Sequence, residues 1–301
     1  MSTLEQAATP IRALWRDYYE LTKPRVVALL LLTAVIGMFL AVDPAVTWFP
    51  HWTVLTFGTV GIALASASAA VVNQVLDQRI DAVMARTLNR PIPQGKVDGK
   101  RAWAFALLLA IASMLTLALL VNRLTAALTF FALIGYAFIY TGYLKRATTQ
   151  NIVIGGLSGA APPLLGWAAV SNSVHPHALL LVLIIFIWTP PHFWALAIHR
   201  RDDYAKADIP MLPVVFGVEF TKTCVLWYTV LLLLTTLLPY LTGMSGLIYL
   251  IGSIILGCWF LFHAWKLKFR DTGVEAMATF RFSIVYLMAL FVVLLVDHYW
   301  S

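Results

Sequence analysis

Charge-free apolar stretches alternate with short charged ones from residue 26 to the C-terminus. The runs without Asp, Glu, Lys or Arg cover residues 26–42, 53–72, 102–121, 124–142, 152–170, 177–198, 223–243, 246–265 and 282–298, the last broken only by Asp297, a charge at its outer end. Each is close to the roughly 20 residues a helix needs to cross a bilayer core of about 30 Å. Strands of a membrane barrel would be about 10 residues long and would alternate in polarity, which these do not. The pattern predicts an all-α integral membrane protein of about nine transmembrane helices, read as one domain over residues 1–301. The first run has no A-x-A-like cleavage site and reads as a permanent span rather than a signal peptide.

Composition narrows the class. With 61% hydrophobic and 12% charged residues, the chain is far more apolar than soluble domains are. Cys224 and Cys258 lack CxxC or Cys/His spacing and read as small core residues. Charge then orients the spans. Of the 21 Lys and Arg, 20 fall in the N-terminal segment or in the connections after the second, fourth, sixth and eighth spans, and only Arg123 lies opposite. The positive-inside rule places the N-terminus, including Arg12 in the segment 1–22, in the cytoplasm and the C-terminus outside. Trp48, Trp52, Trp167 and Trp300 near outer span ends, and Trp103 near an inner one, read as interfacial anchors.

The inner connections 73–101 and 199–222 are long and dense in both signs, whereas the outer ones are short and nearly uncharged, so the chemistry belongs inside. In the first, Asn73, Asp77 and Asp81 recur every four residues and would stack on one helical face. Ser66, Ala67, Ser68, Ala69 and Ala70 just before them admit a neighbouring helix, so this face turns away from lipid. The carboxylates read either as oxygen ligands for Mg²⁺ or as a solvated helix end paired with Arg79 or Arg86. Arg86 and Arg90 follow, and Lys145 with Arg146 falls on the same membrane face. Carboxylate-held Mg²⁺ beside Arg and Lys is the chemistry that neutralises a diphosphate and the charge growing as it leaves.

In the second connection Asp202, Asp203 and Asp208 mix with Arg200, Arg201 and Lys206, a faint counterpart suggesting two halves facing one cavity. His192 and His199, seven residues apart, would share a helical face, although Pro190 and Pro191 distort it. Each reads as a haem ligand or as a hydrogen-bonded residue. The Gly155-x-x-x-Gly159 pattern reads as close helix packing.

Five segments, in this order, resemble the UbiA-type intramembrane prenyltransferases across nearly the whole chain: ELTKPRVV, NQVLDQRIDAVMARTLNRP, YTGYLKRATTQNIVIGGLSGAAPPLLGW, PPHFWALA and DDYAKADIPMLPV. The last three look specific to the branch that farnesylates haem B. One departure stands out: the second acidic motif of the superfamily is D-x-x-x-D, but here Ala207 stands four residues after Asp203.

The resemblance implies a helical bundle around a central cavity in the cell (inner, plasma) membrane, with its active site on the cytoplasmic side. It implies transfer of a farnesyl group from farnesyl diphosphate to a vinyl group of haem B, with addition of water, giving haem O. The implied Mg²⁺ ligands are Asn73, Asp77 and Asp81 at one site and Asp203 at the other, with Asp202 and Asp208 undecided. The implied diphosphate ligands are Arg86, Arg90, Lys145 and Arg146, with Lys23 and Arg25 as weaker candidates, and the haem candidates are His192 and His199. The partners implied are the two substrates and the bilayer, with a haem A synthase or terminal-oxidase assembly factors as protein partners and no nucleic acid. Rival readings are a prenyltransferase acting on an aromatic or quinone precursor, a secondary transporter, and a non-catalytic haem-binding subunit.

Overall fold

The structure, a computed structural model, describes residues 14–270 and 272–300; Arg12 and the rest of residues 1–13 lie outside them. Every apolar run falls on one helix or on two in succession, and its ends match theirs to within two residues or are enclosed by them. The chain opens with the pair α1 (Trp15–Leu21) and α2 (Pro24–Leu40), then α3 (Trp52–Leu76), the single turn α4 (Gln78–Asp81) and α5 (Gly99–Leu120). Next come α6 (Arg123–Ile134), continued by a π-helix (Gly135–Leu144) and the short α7 (Lys145–Ala147), then α8 (Asn151–Ala160) and α9 (Pro162–Ser171). The second half holds α10 (Pro176–His199), α11 (Arg201–Lys206), α12 (Leu212–Val215), α13 (Val218–Thr235), α14 (Leu238–Leu241), α15 (Leu247–Phe269) and α16 (Glu275–Trp300). Among the described residues eight helical stretches are long and apolar enough to cross a bilayer, and the pair α1–α2, bent by 51°, passes the same test as a unit.

Prolines mark where backbone bonding changes. Pro24 opens α2, where the missing N–H is no loss. Pro162 and Pro163 divide the fifth span into α8 and α9 because neither can donate to the preceding turn. Pro190 and Pro191 sit inside α10 without ending it. Several helices outrun their charge-free windows: α3 continues to Leu76 and α15 to Phe269, because backbone bonding persists past the first polar side chain.

Small residues carry the packing. The α3–α5 contact is sealed by Ser68 donating to the Ala106 carbonyl at 2.8 Å and Ser113 donating to the Gly61 carbonyl at 2.7 Å. Ala67, Ser68, Ala69 and Ala70 are buried there, as their size predicts. Between α2 and α9 the backbones meet so closely that a Cβ on Gly166 would strike the Ala34 carbonyl, and one on Gly37 the Pro163 carbonyl. Leu107, Leu108, Ile111, Leu115 and Leu119 of α5 face outward as a lipid-ready stripe.

Trp167, Asp297 and Cys258 differ from their sequence reading. Trp167 is buried and stacks on His175 at 5.2 Å, because α9 is wedged against α2, so it is a core residue rather than an interfacial anchor. Asp297, near the end of the last run, is fully buried and accepts from the backbone N–H groups of Gly246 and Tyr249 at 2.6 and 3.0 Å. It caps the N-terminus of α15 from a neighbouring helix. Cys224 and Cys258 are unpaired; Cys224 is half-buried and Cys258 is exposed on the outer face of α15, so Cys258 is not the core residue its apolar setting suggests.

At the charged end of the bundle the two long connections meet. Met84 of the first packs in one apolar cluster with Tyr204, Ile209 and Met211 of the second, over Trp194 and Leu267.

Candidate active site

The ladder straddles the end of α3. Asp77 is at once the C-cap of α3 and the N-cap of α4, with φ −89° and ψ 3°. Backbone bonds from Asp77 to Asn73 and from Asp81 to Asp77, at 3.0 and 2.8 Å, carry the four-residue spacing across the break. All three side chains are buried, which sets aside the solvated-helix-end reading.

Each rung meets a cation from a different part of the chain. Lys23 donates to Asn73 Oδ1 at 2.5 Å, Lys145 to Asp77 Oδ2 at 2.6 Å, and Arg90 to Asp81 Oδ2 at 2.5 Å. Lys23 reaches inward because it occupies the left-handed region, φ 51° and ψ 58°, at the bend between α1 and α2. That conformation costs a non-glycine residue roughly 1–2 kcal/mol, a cost that the surrounding contacts must offset. Gln74 holds the bend by donating to the Leu21 carbonyl at 2.8 Å.

The π-helix delivers the other partners. Asn73 Nδ2 donates both to Asp77 Oδ2, at 2.9 Å, and to Thr141 Oγ1, at 3.3 Å. A wide turn of this kind needs room, and α8 supplies it: a Cβ on Gly155 would collide with the Tyr140 ring, and one on Gly135 would meet Ser158 Oγ at 2.9 Å. Gly159, by contrast, has open space beside it, so the close packing lies at Gly155, and at Gly156 against Thr189, rather than along the whole Gly-x-x-x-Gly pattern.

The remaining sequence candidates divide. Arg146 donates to the Leu76 carbonyl at 2.9 Å and so caps α3. Arg25 and Arg86 are exposed and, among the described residues, make no hydrogen bond or ion pair. Asp203 is half-buried and pairs with Arg200 at 3.3 Å, while Asp202 and Asp208 are exposed. Burial pushes the Tyr204 phenol above its usual range, against the opposing pull of the nearby Arg86 and Arg200. Tyr204 and Met84 are the link between the two acidic regions; no hydrogen bond or ion pair joins Asp203 to the ladder among the described residues.

The two histidines separate. His192 is buried between the rings of Trp188 and Phe280, at 4.2 and 4.6 Å, with Nδ1 2.6 Å from Ser283 Oγ. Ser283 gives its own proton to the Phe280 carbonyl at 2.6 Å, so His192 must be the donor at Nδ1. His199 is exposed where α10 ends.

The donor set suits a hard cation. Asp77 Oδ1 is buried and has no hydrogen-bond partner among the described residues, although Oδ2 of the same carboxylate is paired. Among the described residues no three His, Cys, Asp or Glu side chains form a complete cage. A site of one or two carboxylates that shares Mg²⁺ with substrate phosphates needs none. Sequence reasoning missed Thr141 and Ser283, single polar residues in apolar runs with no periodic mark, and Gln74, which stands beside Asn73 but outside its four-residue spacing.

Comparison with known proteins gives the family and the fold. A model of the UbiA prenyltransferase family matches residues 30–293. The chain is 65% identical over 285 residues to Protoheme IX farnesyltransferase 2 of Pseudoalteromonas atlantica, covering 95% of this chain and 92% of that one. It is 62% identical over 285 residues to Protoheme IX farnesyltransferase of Shewanella denitrificans, covering 95% and 93%. Among solved structures, a UbiA homolog from Archaeoglobus fulgidus bound to GPP and Mg²⁺ superposes with a TM-score of 0.66 at 16% identity, over 92% of this chain and 99% of that one. A structure described for digeranylgeranylglyceryl phosphate synthase gives 0.79 at 17% identity, over 95% and 99%; at such identities the likeness is one of fold.

Proposed function

The chain belongs to the UbiA prenyltransferase family, and from that premise we propose that it is a protohaem IX farnesyltransferase, transferring the farnesyl group of farnesyl diphosphate to a vinyl group of haem B with addition of water. The products are haem O and diphosphate. The observation that carries the reading is identity above 60% over nearly the full length to proteins of that name. Family membership sets aside the transporter and haem-binding-subunit readings.

Breaking the C1–O bond of farnesyl diphosphate sends the electron pair to the diphosphate and leaves an allylic cation. The vinyl π-electrons of haem B form the new carbon–carbon bond to it. Water then adds to the cation next to the pyrrole and loses a proton. We assign Lys23, Arg90 and Lys145 to the departing diphosphate: each is poised on a ladder rung and is released to the phosphoryl oxygens when substrate enters. Arg86 and Arg25, exposed and unpaired among the described residues, are assigned to first capture at the mouth, and Arg146 to holding the end of α3 beneath it. Mg²⁺, held by Asn73, Asp77 and Asp81 at one site and Asp203 at the other, would neutralise the diphosphate and the charge that grows on it. Asp77 Oδ1, buried and unpartnered, supports that assignment. The apolar helices around the site keep water from the allylic cation until the carbon bond forms.

For haem B we assign His192 and His199, the first held rigidly between two rings, the second free at the mouth. The chain is proposed as one domain in the plasma membrane, N-terminus and active site cytoplasmic, with a haem A synthase or terminal-oxidase assembly factors as protein partners. The test is incubation of the purified protein with haem B, farnesyl diphosphate and Mg²⁺, followed by mass analysis of the haem. Haem gaining one hydroxylated farnesyl group is expected; unaltered haem beside an active known enzyme would overturn the proposal.

A further inference from the structure

The first rung of the ladder is an amide, and an amide can present either an oxygen or an NH₂ group to the site. Only the oxygen suits a cation. Three groups hold the Asn73 amide: Lys23 on Oδ1, and Asp77 and Thr141 on Nδ2. Two of the three are charged, and substrate and metal compete for both. Thr141 is the exception. Its hydroxyl is fully buried, and its proton goes to the Tyr136 carbonyl at 2.9 Å, so toward Asn73 it offers only a lone pair.

That bond runs from residue 141 to residue 136, the five-residue step of a π-turn. The π-helix runs for ten residues, Gly135–Leu144, and its wider turns shift the residues that follow around the axis relative to an α-helix. The shift brings Thr141 opposite Asn73 and Lys145 opposite Asp77, two pairs with the same four-residue spacing on each strand of the contact.

We propose that Thr141 is a positioning residue: it fixes the Asn73 amide so that the oxygen, not the nitrogen, faces the cation, and it keeps it so after Lys23 and Asp77 have exchanged partners. The inference rests on the metal reading of Asn73 and Asp77. If it holds, removing the hydroxyl frees the amide to rotate and weakens metal binding, whereas any hydroxyl at this place preserves it.

The test uses the full-length protein in detergent, with Mn²⁺ as the probe in the presence of inorganic diphosphate, and free Mn²⁺ followed by electron paramagnetic resonance. Thr141→Val is expected to weaken Mn²⁺ binding by roughly 3- to 10-fold, the scale of one hydrogen bond, and Thr141→Ser to stay within about twofold of the parent. Thr141→Ala deletes the same oxygen with less volume and serves if the valine variant does not accumulate. Asp77→Ala tells the two layers apart. Loss of Mn²⁺ binding in Asp77→Ala together with parental binding in the Thr141→Val or Thr141→Ala protein overturns the Thr141 role alone, as does a Thr141→Ser protein as weak as Thr141→Val. Parental binding in Asp77→Ala overturns the metal reading, and the Thr141 role with it.

Discussion

Replacing Asp77 with asparagine separates two jobs that its carboxylate combines, pairing with Lys145 and holding a cation for the diphosphate. Asp77 and Lys145 side chains are 2% and 14% exposed and 2.6 Å apart. Removing the carboxylate leaves a nearly buried ammonium without its counter-charge, which costs about 3 kcal/mol, the low end of the range for a broken buried pair because Lys145 keeps some water. Neutralising both partners in Asp77→Asn/Lys145→Met removes that penalty, so the double variant should lie within about 1 kcal/mol of the parent. Turnover should not follow stability. Loss of a group that stabilises developing charge lowers the rate about 10²- to 10³-fold, and neutralising Lys145 cannot restore it. Thermal midpoints in detergent report the first quantity and haem O formation by mass the second, with Lys145→Met alone as the control. A single Asp77→Asn protein that keeps turnover within about threefold of the parent, or a double variant that regains it, would falsify the metal assignment and leave Asp77 as a structural partner of Lys145.

Arg86 and Arg90 should differ. Arg86→Ala is expected to raise the KM for farnesyl diphosphate at unchanged thermal midpoint, whereas Arg90→Ala also lowers the midpoint through a loss of stability of about 3 kcal/mol, because Asp81 is left buried and unpaired; equal midpoints would refute the buried pair. Gly155→Ala should destabilise by about 1–3 kcal/mol and impair turnover by pushing on Tyr140, while Gly159→Ala, with open space at its Cβ, should be silent in both assays. Asp297→Ala uncovers two N–H groups at the start of α15 and should cost about 2–4 kcal/mol with haem O formation per folded molecule unchanged, since it lies at the opposite end from the ladder. His192→Ala should change the Soret band of bound haem more than His199→Ala does; the reverse order would move the haem assignment to the exposed histidine.

Much of this was legible along the chain. The nine runs, their order and the helical stacking of Asn73, Asp77 and Asp81 depend on bilayer thickness and helix periodicity, both of which act over a few turns and leave a repeating mark. The small residues at 66–70 announced the tight contact with α5 for the same reason. Charge asymmetry pointed to one end of the bundle, and the cations that meet the ladder do come from Lys23, Arg90 and Lys145, each a candidate from its position.

What periodicity does not encode is which partner each rung takes. His192 and His199 share a helical face by spacing, yet one is packed under α16 and the other is exposed, because depth in the bundle, not angle around the helix, separates them. Trp167 looked like an anchor until α9 was wedged against α2, and Asp297 looked like an end charge until α15 began beside it. Thr141 gave no signal at all. Its role depends on a ten-residue π-helix whose wide turns are given room by Gly155 on another helix. The sequence by itself determined the spans and the ladder, since these follow from local backbone bonding and from transfer of side chains into lipid. Only the tertiary structure decided that Lys23 meets Asn73 across 50 residues and Lys145 meets Asp77 across 68, because such pairs are made where separate helices pack, and a shift of one residue in register would unmake them.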